Sequence, residues 1–161
     1  ACVYQTLKDF EKKGGEVSFL STGSWGAVRP EAVEKAILPH TRLITLMAVN
    51  NETGVMTDIE AIAAIAQKAN IPFIVDGVAW LGKEQVRIPT GVSALFFSGH
   101  KIYAPKGIGF CICRSNLKLV PLFVGGGQEY NRRGGTENLS GVVALTEAMR
   151  CLQQEQESSI K

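Results

Sequence analysis

Short apolar runs alternate along this chain with longer stretches in which apolar residues recur every three or four positions. Residues 1–13 place Val3, Leu7 and Phe10 on one face with charges between them, and Gly14-Gly15 follows where a left-handed cap would end a helix. Residues 16–20 read as a short strand, and the Ser/Thr/Gly-rich stretch through Gly26 as a loop. Pro30 suits the first turn of a helix carrying Val33 and Ile37. Residues 42–49 are nearly all apolar or β-branched, the composition of a strand buried on both faces. Thr57 or Asp58 can cap the next helix, whose Ile59, Ile62, Ile65 and Ala66 share a side. Residues 71–75, 94–97 and 107–114 read as further strands, and 138–156 as a long amphipathic helix using Val142, Leu145, Met149 and Leu152.

Strands that alternate with helices favour an α/β layer structure with a mainly parallel sheet flanked by helices, because parallel neighbours need crossover connections. Ligands of such sheets bind beyond the carboxyl ends of the strands. With 161 residues and 45% hydrophobic content, the chain can bury one sizeable core, so one domain or a large piece of one is expected.

Charge narrows the partners. The 17 basic and 15 acidic residues are scattered in both signs, leaving a formal charge of +2 and no basic stripe for a phosphate backbone, so nucleic acid is not an expected partner. No run approaches the roughly 18 apolar residues needed to span a bilayer, and no charged lead followed by an apolar signal core is seen at the start, which predicts a soluble, cytoplasmic protein without membrane contact. Cys2, Cys111, Cys113 and Cys151 are too sparse for a disulfide framework and suit a reducing compartment. Cys111 and Cys113 alternate within a strand-like run with no second ligand pair nearby, so core packing is expected of them and no metal.

Three polar clusters each follow directly on a buried strand: Asn50-Asn51-Glu52-Thr53-Gly54, Asp76-Gly77 and Ser98-Gly99-His100-Lys101. Singly, each is ordinary turn chemistry. Together, at one edge of a parallel sheet, a carboxylate, a lysine and several hydrogen-bonding side chains describe a site for an anionic cofactor. Pyridoxal phosphate would use them in a specific way: a lysine amine binds its aldehyde, and a carboxylate beside the pyridine nitrogen keeps that nitrogen protonated. Lys101 and Asp76 suit these two roles, while Ser98, His100 and the backbone N–H groups of a glycine-containing turn can hold phosphate.

The segments 50–54, 98–109 (Ser-Gly-His-Lys-Ile-Tyr-Ala-Pro-Lys-Gly-Ile-Gly), 125–129 (Gly-Gly-Gly-Gln-Glu) and 132–138 (Arg-Arg-Gly-Gly-Thr-Glu-Asn) resemble, in the same order, the NifS/IscS-type cysteine desulfurases of the class V aminotransferase fold. The resemblance implies the large domain of a pyridoxal-phosphate-dependent transferase of the aspartate aminotransferase-like kind, here only in part. It implies removal of sulfur from L-cysteine to give L-alanine and a persulfide for iron–sulfur cluster or thiolation pathways. Lys101 would carry the cofactor and shuttle the substrate α-proton, Asp76 would face the pyridinium nitrogen, and Asn51 would lie near the ring oxygen and the substrate carboxylate. Ser98 and His100 would bind phosphate, and Thr136 would reach the phosphate of a partner subunit in a homodimer, with 125–127 and the Arg133 loop shaping that interface. A sulfur acceptor or iron–sulfur scaffold protein is a further implied partner. A related aminotransferase or selenocysteine lyase, or a non-catalytic dimerising or binding fragment of the same fold, is the alternative.

Two departures from the family pattern stand out. Ala79 occupies a position where the family usually has a glutamine contacting the ring oxygen, and a methyl group makes no hydrogen bond, a change of about 1–2 kcal/mol in cofactor binding. The family's upstream phosphate loop and ring-stacking histidine would precede residue 1, and its nucleophilic cysteine, carboxylate-clamping arginine and small domain would follow residue 161. The chain 1–161 alone is therefore expected to lack desulfurase activity. The remaining residues have plainer roles: Trp25 and Trp80 as loop anchors or core, His40 at the surface, and 125–127 as no dinucleotide fingerprint because no helix opens from it.

Overall fold

The computed structural model describes residues 2–159. Four short strands form one sheet in the order β1 (Ile44–Met47), β2 (Phe73–Asp76), β3 (Ala94–Ser98) and β4 (Gly109–Cys113). The first three run parallel, with Met47 beside Asp76 and Asp76 beside Phe96, and β4 returns antiparallel with Ser98 opposite Gly109. The α/β reading with a mainly parallel sheet and flanking helices therefore holds.

Helix α1 (Cys2–Lys12) ends where the Gly-Gly pair was expected to stop it, with Gly14 at φ +91°. Helix α2 (Pro30–Ala36) starts on its proline. Helix α3 (Ile59–Lys68) is capped by Asp58, whose Oδ1 accepts from the Ala61 N–H at 2.9 Å. From α3, Ile59, Ile62, Ala63 and Ala66 pack with Val33 of α2 onto Phe73, Val75, Leu95 and Phe97 of the sheet, and this is the main core. A smaller cluster joins Ile102 and Ala104 to Leu145 of the long helix α5 (Leu139–Ser159).

Some expectations need correction. Residues 16–20 have strand-like composition but form no strand, because a strand exists only as a backbone pairing and no described segment makes a backbone hydrogen bond to them. Strand β1 is half-buried at all four positions, not buried on both faces, because it lies at an edge of the described sheet. In α5, Leu145 is buried, but Val142 and Met149 are exposed; the packed stripe runs through Leu145, Ala148 and Leu152. Cys111 is exposed and Cys113 only half-buried, so neither belongs to the core; β4 is the other edge strand, and the face that carries them has no helix packed into the core beneath it. A single turn, α4 (Gln128–Asn131), does open from Gly127, but Glu129 and Tyr130 in it are wound left-handed at φ 49° and 56°. That turn aims no row of backbone N–H groups as a right-handed helix would, so the dinucleotide reading still fails on geometry.

Candidate active site

Because β1, β2 and β3 are parallel neighbours, the segments leaving their carboxyl ends emerge on one rim. After β1, the chain turns back on itself. Asn50 Oδ1 accepts from the backbone N–H groups of Glu52 at 2.9 Å and Thr53 at 3.1 Å, and the Gly54 N–H bonds the Asn50 carbonyl at 2.9 Å. This asparagine-centred turn, closed by Gly54 at φ +73°, projects Asn51 outward with its side chain exposed.

After β2, Asp76 is half-buried and its Oδ1 accepts from the Val78 N–H at 3.0 Å. One carboxylate oxygen is thereby fixed by the turn, while Oδ2 has no hydrogen-bond partner among the described residues. The carboxylate is held in orientation and retains accepting capacity.

After β3, the chain enters a 3₁₀ turn, Gly99–Ile102. Gly99 is required there by close approach: a Cβ would stand 3.0 Å from Leu145 Cδ1 and 3.1 Å from both Ala104 Cβ and the Ile108 carbonyl. Ile102 buries itself against α5 and anchors the turn, leaving His100 and Lys101 exposed on its outer side. Ser98 Oγ and His100 Nδ1 share a hydrogen bond of 2.7 Å, which joins hydroxyl and imidazole into one polar unit at the strand end. Lys101 makes no ion pair and no side-chain hydrogen bond among the described residues. It is an unengaged amine at the rim.

An open cavity of about 330 Å³ lies at this rim, lined by Asn51, Gly54, Ala79, Lys83, Glu84 and Lys101 among others. Its size is at the lower end of small-molecule sites. The structure thus brings Asn51 and Lys101 to one cavity and sets Asp76, Ser98 and His100 at the ends of the two adjacent strands. Thr136 is not brought to them: it lies exposed in the loop before α5 and lines no part of this cavity. Ala79 does line it.

Two charged lining residues escaped the sequence reading. Lys83 and Glu84 follow the turn after β2, and the available signal was position alone, since a charged pair in a turn is common. Trp80 was assigned to core or loop packing, and it does pack in the core at 7% exposure, but its Nε1 is buried without a hydrogen-bond partner. None of Cys2, Cys111, Cys113 and Cys151 lines the cavity beside Lys101.

Known proteins share this arrangement. Over 154 residues the chain is 41% identical to a protein named cysteine desulfurase 2 from Trichormus variabilis, covering 95% of this chain and 39% of that one. It is 37% identical over 163 residues to a mitochondrial cysteine desulfurase of Arthroderma benhamiae, covering 99% of this chain and 32% of that one. Among solved structures, a NifS-like protein superposes with a TM-score of 0.91 at 34% identity over 97% of this chain and 44% of its own. A structure of SspA in complex with cysteine superposes with a TM-score of 0.87 at 40% identity over 92% of this chain and 44% of its own. The chain spans about two fifths of the curated relatives' length. The model of the class V aminotransferase family matches residues 2–161. A parallel sheet with an unengaged lysine and a fixed aspartate at its carboxyl rim, matched along nearly its whole length by one family, places this chain in the class V aminotransferases.

Proposed function

We propose that this chain is the cofactor-holding part of a pyridoxal-phosphate-dependent cysteine desulfurase, with L-cysteine as substrate, L-alanine as product and sulfur leaving as a persulfide. The single observation that carries this reading is Lys101, an amine with no partner on a cavity it shares with Asn51, one strand away from Asp76. Pyridoxal phosphate, when bound, supplies an electron-accepting ring that weakens bonds at the substrate's α-carbon.

The residues present fit that group. Lys101 would hold its aldehyde carbon, and the freed amine would take and return the substrate α-proton. Asp76 Oδ2, with Oδ1 pinned by Val78, would face the pyridinium nitrogen and keep it protonated. The Ser98–His100 unit and the Gly99 turn would receive the phosphate. Asn51 would orient the substrate carboxylate. Ala79 offers no hydrogen bond to the ring oxygen, so that oxygen would depend on Asn51 or on water.

Since no described cysteine lines the cavity, the thiolate that accepts the substrate sulfur would come from elsewhere in the protein. Thr136, exposed in its loop, would act across a homodimer interface on the partner's phosphate. A sulfur acceptor or iron–sulfur scaffold protein would take the persulfide. No helix among the described residues is long and apolar enough to cross a membrane. The proposed compartment is the cytoplasm; relatives named cysteine desulfurase include mitochondrial forms.

The test is spectroscopic and then catalytic. Titrating the protein with pyridoxal phosphate should generate the visible absorbance of a lysine-bound cofactor, and Lys101→Ala should abolish it while leaving the far-ultraviolet circular dichroism intact. The reading is lost if Lys101→Ala keeps the band, or if the loaded protein, complete with the segment that carries the sulfur-accepting thiolate, yields no alanine from L-cysteine.

A further inference from the structure

The segment 77–84 packs onto the turn that carries Lys101. Its backbone is wound by bonds from the Trp80 and Leu81 N–H groups to the Gly77 carbonyl, at 2.9 and 3.2 Å, and from the Lys83 N–H to the Trp80 carbonyl at 3.1 Å. Leu81 packs against both apolar clusters, and Gly82, at φ +80°, runs so close to Ile102 that a Cβ there would stand 2.9 Å from Ile102 Cγ2. Lys83 follows directly and lines the same cavity as Lys101, together with Asn51, Ala79 and Glu84, whereas Ser98 and His100 do not line it. Packed neighbours, and not exposure, thus fix where Lys83 emerges.

Pyridoxal phosphate bears its ring oxygen and its phosphate arm on opposite sides of the carbon that carries the aldehyde. With the phosphate at Ser98 and His100, the ring oxygen would fall on the cavity side. An anionic oxygen there calls for a charge-assisted donor. Ala79 offers a methyl, Glu84 a carboxylate that would repel it, and Asn51 a neutral amide that would orient the substrate carboxylate. We infer, given the cofactor reading above, that Lys83 is the cationic partner of the cofactor's ring oxygen. Its ammonium also puts positive charge near the nitrogen that joins Lys101 to the cofactor, and like charge disfavours protonation of that nitrogen. The other titratable groups on the surrounding elements are Asp76 at the end of β2, His100 and Tyr103 at the lysine's own turn, and Glu52 after β1; on α5, Glu147, Cys151 and Glu155 line a separate groove beyond Ile102. All of these are common to wild type and a Lys83 variant, so a difference between the two isolates Lys83.

The experiment loads the protein, as its own gene encodes it, with pyridoxal phosphate and follows the visible band across pH. The protonated, lysine-bound cofactor carries that band. Lys83→Met should raise the midpoint pH at which the band fades by about half a pH unit or more, as one charge acting through an open cavity would. Lys83→Arg, which keeps the charge, should titrate with wild type. Lys83→Gln, also neutral, reads the same shift if circular dichroism shows Lys83→Met to be misfolded. An equal or lowered midpoint in the neutral variant overturns the inference alone, as does an arginine variant that shifts as far as the neutral one. A wild-type protein that forms no band overturns the cofactor reading and this inference with it.

Discussion

The two faces of the sheet differ in burial. On one, Phe73, Val75, Leu95 and Phe97 are 0%, 0%, 1% and 6% exposed beneath α3 and α2. On the other, Thr45, Met47, Ile74, Asp76, Phe96, Cys111 and Cys113 alternate with them along the same strands, and all are half-buried or exposed. Both sides carry apolar residues, Ile74, Ala94 and Phe96 among them on the second, yet among the described residues the main core forms on the first. What this teaches is that strand composition reports what a face can bury, while helices supplied by the chain decide which face is buried.

The sharpest way to test the contrast is to truncate one aromatic on each face. Phe73→Ala should lower unfolding free energy by about 3–5 kcal/mol, the usual loss for a fully buried aromatic. Phe96→Ala, 42% exposed, should cost below about 1 kcal/mol. Urea midpoints at unchanged denaturant slope would measure both, and comparable losses would mean that the second face is covered as well.

The covering layer depends on α3, and α3 on its cap. Replacing Asp58 by Ala removes the acceptor for the Ala61 N–H and should cost about 1 kcal/mol, whereas Asp58→Asn should keep most of it. An equal loss from both would assign the effect to charge at the helix start and not to the cap hydrogen bond.

The capped helix was legible in the sequence because three local signals agreed there: a capping side chain, apolar residues at helical spacing and a strand on either side. The rim was legible for a related reason. Turn residues placed directly after apolar runs, as at Asn50, Asp76 and Ser98, converge whenever the runs are parallel neighbours. What stayed hidden depends on contacts distant in sequence. Residues 16–20 have the composition of a strand, but composition names no partner. Val142 and Met149 fall at helical spacing in α5, yet the stripe that packs is set by where Ile102 and Ala104 stand, which the period cannot reveal. The Cys111–Cys113 pair was read as core because a strand's burial was inferred from its residues and not from its place at the sheet's edge.

Trp80 offers a smaller test inside the covered face. Its Nε1 is buried with no partner, an arrangement that forfeits the indole's hydrogen bond to water. Trp80→Phe removes that orphan donor and leaves a modest void. The two effects oppose, so stability should stay within about 1 kcal/mol of wild type, unlike the larger loss expected from truncating a satisfied core aromatic. A loss beyond about 2 kcal/mol would show that the indole N–H is bonded after all.

The open face supplies the last and smallest effect. Desolvation against the sheet, the hydrogen bond to Cys113 and its charge push the Cys111 thiol up from 9.0 to about 12, against a weaker opposing pull from the Leu95 backbone and Arg132. A thiol whose pKa is higher folded than unfolded binds more protons in the native state between those two values. Its contribution is thus fully present below pH 9.0 and is lost as pH rises toward about 12. Stability measured by urea across this alkaline window should fall less steeply in Cys111→Ser than in wild type. Cys113→Ala removes two of the raising causes, so Cys111 should be alkylated faster than in wild type at pH 8–9, a prediction that fails if the two rates coincide.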